Sequence, residues 1–209
     1  MSTKKKRRLT AADRREQLIG VGRSVFADNG FENASLDVIA AHAGVTKPII
    51  YEHFGGKEGL LAAVVDRALD ALVKRISEAV ASGSARERFE AAVVEFLAYA
   101  DEEPAGFALL TRETPIVGRA GITRVVDQLV DRVGAIFRRE LARAGYDRRV
   151  APLYASAIIG MVTQAGRWWA DGKRISRDEA VRHLAALGWM GLRHLPKRPA
   201  RVKRAPRRR

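Results

Sequence analysis

Few side chains in this sequence could do covalent chemistry. The 209 residues include no cysteine, which excludes thiolate nucleophiles, disulfides and cysteine-ligated metals. The four histidines are His42, His53, His183 and His194. Such residues can move protons or hold a metal. None stands at a metal-ligand spacing from another histidine or a carboxylate. His183 and His194 could share a helix face, which suits a structural or interface role. Gly55-Gly56-Lys57 lacks the strand and the spacing of a phosphate-cradling loop. The residues point away from an enzyme, a metal site or a bound cofactor.

A different chemistry fits Ser35 to Phe54, SLDVIAAHAGVTKPIIYEHF. Its pattern predicts short helices at about 36–43 and 47–53, joined at Gly44, which is a helix-turn-helix. Ala40 is small where the helices cross. Gly44 tolerates the positive φ of the turn. Val45, Ile50 and Phe54 pin the second helix to the first. Pro48 falls in that helix's first turn, where a missing amide costs little. In a major groove the exposed side chains Thr46, Lys47, Tyr51 and His53 would reach bases and phosphates. Lys57 opens the next helix and Ser35 caps the first; both are placed to hold a phosphate.

Charge sharpens this reading. The formal net charge is +14, yet two ends carry nearly all of it. Residues 1–8 hold Lys4, Lys5, Lys6, Arg7 and Arg8, and residues 196–209 hold eight more basic residues with no acid. Residues 9–58 hold five basic and seven acidic residues. The helix-turn-helix is therefore built to read, and attraction to a polyanion falls to the arm at 4–8. The basic ends also allow a second reading, a non-specific architectural DNA-binding protein.

The supporting elements are helices throughout, and the fold class is all-α. Capping sequences start helices at Thr10-x-x-Asp13, Ser84-x-x-Glu87 and Ser176-x-x-Glu179. Thr46 is expected to cap the second helix of the motif. Helices are expected at about 10–28, ending at Asn29-Gly30, then 57–81, 85–101, 103–113, 118–144, 148–171 and 177–194. The domains read as a basic disordered arm (1–9), a three-helix helix-turn-helix domain (10–56), a helical effector-binding and dimerisation domain (57–195), and a basic disordered tail (196–209). The uncharged stretch 151–166 is too short to span a bilayer. A cytoplasmic protein without a membrane partner is expected.

Over residues 10–60 the sequence resembles the tetracycline-repressor (TetR) family. The likeness rests on Phe26-x-x-x-Gly30-Phe31, Ser35-x-x-x-Ile39-Ala40, Gly44-Val45-Thr46-Lys47, Tyr51-x-His53-Phe54 and Lys57-x-x-Leu60. It implies an all-helical dimer in which Thr46, Lys47, Tyr51, His53 and Lys57 contact an operator. Pro48 and Glu52 depart from the family's common residues, and both bear on operator sequence. The stretches GFALLTRETP (106–115), GMVTQAGRWWADGKRISRDEAV (160–181) and WMGLRHLP (189–196) are similar to members that control lipid metabolism and respond to fatty acyl-coenzyme A.

In the second domain, the helix at 148–171 has two apolar stripes. Tyr154, Ile158, Met161, Ala165 and Trp168 form one; Ala155, Ile159, Val162, Gly166 and Trp169 form the other. A helix apolar on two sides must be buried twice, and a partner subunit is the economical second cover. The last helix repeats the pattern with Leu184, Leu187, Gly188, Met190 and Leu192. A four-helix homodimer interface follows, with recognition helices roughly 34 Å apart on double-stranded operator DNA. Phe96, Tyr99, Phe107, Leu110, Met161, Trp168 and Trp169 are candidates to line a cavity for a hydrophobic small-molecule effector. Arg112, Glu113 and Gln164 would orient its polar end.

Overall fold

The computed structural model describes residues 9–111 and 149–196. Between them it describes 131, 134, 135, 138, 139, 141–143 and 145–147. The arm with Lys4, Lys5, Lys6, Arg7 and Arg8, the tail beyond 196, Arg112, Glu113 and most of the helix expected at 118–144 lie outside the described residues.

Eight helices are bounded among the described residues: α1 (Ala11–Asn33), α2 (Leu36–Ala43), α3 (Lys47–Phe54), α4 (Lys57–Ala79), α5 (Ala85–Glu102), α6 (Pro104–Thr111), α7 (Ala151–Gly172) and α8 (Arg177–Arg193). No strand occurs among those residues. Local chemistry explains the boundaries. Thr10 with Asp13, and Ser84 with Glu87, form complete capping boxes, and Ser176 accepts from the Glu179 amide at 3.2 Å. The regular turns of α1 stop at Gly30, whose φ of 71° and ψ of 169° kink the helix where Asn29-Gly30 predicts its end. One cap differs from expectation. Thr46 stands at the start of α3, but its hydroxyl makes no capping bond. Pro48 has no amide to offer, and the Ile49 amide goes instead to the Thr46 carbonyl at 3.1 Å.

The core is one continuous cluster with α4 as its spine. At the N-terminal end of α4, Leu60, Leu61 and Val64 pack with Leu18, Phe26, Ile39 and Ile50. Burial of each such side chain is worth roughly 1.5–3 kcal/mol. Gly22 lets α1 and α4 close up: a β-carbon there would sit 3.3 Å from Leu60 and Val64. Further along, Leu69, Leu72, Val73 and Ile76 join Val93, Phe96 and Leu97 of α5. α4 packs on α1, α3, α5 and α6. The division expected at residue 57 falls at the first residue of α4.

α7 is held to α5 through Gly166, where a β-carbon would come 2.5 Å from the Phe96 ring. Trp169 is buried, and its indole N–H donates to the Ile175 carbonyl at 3.0 Å, closing the turn into α8. Of the expected stripe Ala155, Ile159, Val162, Gly166 and Trp169, all but the half-buried Ile159 are buried. Ile158 and Met161 of the other pack partly against the core. The outward apolar line is instead Leu153, Ala157 and Trp168.

Candidate nucleic-acid interface and effector cavity

The first interface builds on Gly44, which ends α2 in the left-handed region at φ 64°. The turn is closed by hydrogen bonds from the Gly44 N–H to the Ala41 carbonyl (3.1 Å) and from the Val45 N–H to the Ala40 carbonyl (3.0 Å). Ala40 is buried at the crossing, Ile50 is fully buried, and Val45, Ile49 and Phe54 pack against the core. Gln17 of α1 donates to the Ala43 carbonyl at 3.1 Å and fixes the end of α2.

With its apolar side anchored, α3 turns Thr46, Lys47, Pro48 and Tyr51 outward. Tyr51 is 51% exposed, a large ring with no packing reason to be there. His53 is only half-buried, its ring 6.0 Å from that of Phe54. Ser35 caps α2 by accepting from the Asp37 amide at 3.2 Å. Both lysines have partners within the protein. Lys47 Nζ lies 3.1 Å from Asp37 Oδ2. Lys57 Nζ donates to the Glu32 carbonyl at 3.1 Å and sits 4.4 Å from the centre of the Phe31 ring. The sequence reading passed over Asp37, because its pairing with Lys47 joins two helices.

The second site is a cavity of about 580 Å³ lined by α4, α5, α7 and α8 and by Gly134, Leu141, Arg143 and Tyr146. Ile76, Val80, Phe89, Ala92, Val93, Phe96, Ile158, Ile159, Val162 and Trp189 make it apolar. Arg88, Arg143, Tyr146 and Arg193 add polar groups to the wall. The size is that of a small-molecule site.

This wall differs from the one expected. Of the candidates, Phe96 lines the cavity. Phe107, Leu110 and Tyr99 are buried in the core instead. Phe107 packs edge-on against Phe96, with ring centres 5.5 Å apart. The Tyr99 hydroxyl donates to the Ala68 carbonyl at 3.1 Å, and burial pushes its pKa up to about 12. Met161 packs on the core beside Gly188 without lining the cavity. Gln164 and Trp168 lie on the outward side of α7 and are exposed, whereas Trp169 is committed to its bond with Ile175. Phe89, Ile158, Ile159 and Trp189 went unrecognised as lining. Their apolar spacing is that of any core helix.

The fold and the anchored, outward-facing α3 define a helix-turn-helix protein with a separate ligand-sized cavity. Known proteins agree. The pattern of the bacterial regulatory proteins of the tetR family matches residues 18–64. That of the tetracyclin repressor-like C-terminal domain matches residues 85–191. The chain is 30% identical over 194 residues to the HTH-type transcriptional activator FasR of Mycolicibacterium smegmatis, covering 90% of this chain and 87% of that protein. A TetR-like transcriptional regulator from Rhodococcus sp. RHA1 shares 28% identity at a TM-score of 0.71, over 90% of this chain and 100% of that one. A tetR-family regulator from Streptomyces coelicolor also shares 28% at 0.71, over 86% and 80%. The chain belongs to the TetR family of transcriptional regulators.

Proposed function

We propose that this protein is a ligand-responsive transcriptional regulator that grips a palindromic operator as a homodimer. In this reading Thr46, Lys47, Pro48, Tyr51 and His53 face the major groove, Ser35 and Lys57 hold phosphates, and Lys4 to Arg8 add affinity. The protein works in the cytoplasm, where its DNA is. Bound over a promoter, the dimer represses. The M. smegmatis relative is named an activator, and operator position relative to the promoter would set that sign.

The observation that carries the ligand response is the double duty of α4. Its Ile76 and the C-cap residue Val80 line the cavity, while Leu60 and Val64 at its other end pack on α1. A hydrophobic effector, such as a fatty acyl-coenzyme A, that displaces the far end of α4 therefore moves the helix that carries α3. Such a ligand must bind the two positions of α4 with different affinity. Dimerisation is supported by Leu153 (66% exposed) and Trp168 (55%) on α7, and by Leu187 (63%) and Met190 (61%) on α8. Large apolar side chains left open in one copy fit a four-helix interface between two.

The test is operator binding by fluorescence anisotropy, titrated with palmitoyl-coenzyme A. A change in operator affinity of about 5- to 150-fold is expected. Unchanged affinity at saturating ligand would overturn the ligand response.

A further inference from the structure

We infer that the homodimer holds two equivalent sites for a zinc-class divalent ion, each built from Glu179 and His183 of one copy and the partner's His194. This rests on the homodimer reading and adds what its seam binds.

The outer face of α8 has a palindromic order. Along the helix it runs His183, Ala186, Leu187, Met190, Gly191 and His194, and all six are exposed. From either end the spacing is the same: histidine, small, large apolar, large apolar, small, histidine. Ala185 and Gly188, between them in sequence, are buried. A two-fold axis demands a surface that complements itself. With the axis at the midpoint of this pattern, between Gly188 and Trp189, two α8 helices pair antiparallel. Leu187 then meets the partner's Met190, and Ala186 meets the partner's Gly191. A β-carbon added at Gly191 would touch nothing within 4 Å in one copy, which leaves room for that approach.

The same register sets His183 against the partner's His194, twice per dimer. Each histidine stands about 8 Å along the helix from the axis. At a crossing angle of about 20° the two helices diverge there by only about 3 Å, so neighbours about 8–10 Å apart keep both rings within reach of one ion. His194 Nδ1 lies 2.9 Å from the Met190 carbonyl. A carbonyl only accepts, so Nδ1 carries the proton and Nε2 keeps a lone pair for a metal. Histidine ligands are oriented by bonds of this kind. Glu179 stands one turn before His183, on the same side of α8. Its amide donates to Ser176, but its carboxylate makes no return bond of the kind Glu87 makes at Ser84. Two imidazoles and a carboxylate suit zinc, with water in the fourth position. Within one copy the described residues form no group of three metal-ligating side chains. The set is complete only across the seam, so the histidine spacing of a single chain does not reveal it.

The test is isothermal titration of the chelator-stripped full chain with ZnCl2, with the mass followed by sedimentation. A dimer that takes up one ion per chain is expected. His183→Gln and His194→Gln alter exposed rings and leave the core untouched. Each should abolish uptake, because every site needs one of each, and Glu179→Gln should weaken it. The decisive sample is the heterodimer of the two histidine variants, isolated through two different non-histidine affinity tags. One of its sites keeps both histidines, so uptake should return at one ion per dimer, half that of the parent. A heterodimer as silent as either variant, uptake that survives both histidine changes, or a dimer that takes up no zinc would overturn the shared site and leave the homodimer standing. A monomer with and without zinc would overturn the homodimer and the site with it.

Discussion

Arg23 of α1 donates to Glu103 at the corner between α5 and α6 across 2.6 Å, joining residues 80 apart in sequence. One belongs to the helix-turn-helix domain and the other to the domain with the cavity. Both side chains are about two-fifths exposed, so the pair adds under about 1 kcal/mol to stability. Its position matters more than its strength, since it ties α1 to the end of α5. Glu103→Gln should leave the melting temperature nearly unchanged and weaken the coupling between ligand and operator about two- to thirtyfold. The check is operator affinity with and without ligand in both proteins; equal coupling would show the pair to be idle.

Asp37 holds the Lys47 ammonium on the face that would meet DNA. A phosphate must compete with that carboxylate for the lysine. Asp37→Asn should therefore raise affinity for every DNA sequence at low salt, and the gain should fade as salt screens it. Lys47→Ala should do the reverse, weakening all sequences alike and reducing the salt slope by about 1. Binding isotherms at several salt concentrations distinguish these from a stability effect. A gain confined to one sequence would contradict the account.

Ile50 and Tyr51 are neighbours with opposite duties. Ile50 is fully buried and Tyr51 half exposed. Ile50→Ala should cost about 2–5 kcal/mol of stability. Tyr51→Ala should stay within about 0.5 kcal/mol of the parent yet erode the preference for operator over bulk DNA. Urea melts and competition binding on the same two variants separate packing from reading.

Much of the helix-turn-helix was legible in the sequence because it is local. Gly44, Ala40 and Ile50 lie within eleven residues, and each answers a demand of one turn or one crossing. The caps at Thr10, Ser84 and Ser176 are likewise settled within a single turn. Thr46 escaped because two neighbours, Pro48 and the Ile49 amide, decided its fate together. The cavity was less legible because its wall runs from Ile76 to Arg193, and helical periodicity does not say which apolar stripe meets a void. Trp168 and Trp169 make the point: adjacent residues of one type, the first 55% exposed and the second 3%. The packing of α7 on its neighbours and the Trp169–Ile175 bond separate them.

Alkaline pH tests the core at Tyr99. Burial, aided by the Glu103 charge, lifts its pKa from 10.0 to about 12. The unfolded chain then loses this proton first. Below pH 10 the residue adds no pH dependence. As pH rises from 10 towards 12, stability should fall by at most about 1.4 kcal/mol per unit from this group. Tyr99→Phe should remove that part of the slope at the cost of one hydrogen bond, about 0.5–1.5 kcal/mol. Urea melts of both proteins at pH 9 and 11 provide the comparison; parallel losses would place the effect elsewhere.

The central claim is that α3 reads a sequence rather than merely meeting a polyanion. It is tested most directly by selecting sheared genomic DNA on the full-length protein at raised salt with excess competitor. The account predicts enrichment of a palindromic site with half-sites one helical turn apart, lost in Tyr51→Ala. Recovery of bulk DNA without a shared sequence, equally in both proteins, would contradict it and favour an architectural binder driven by the basic ends.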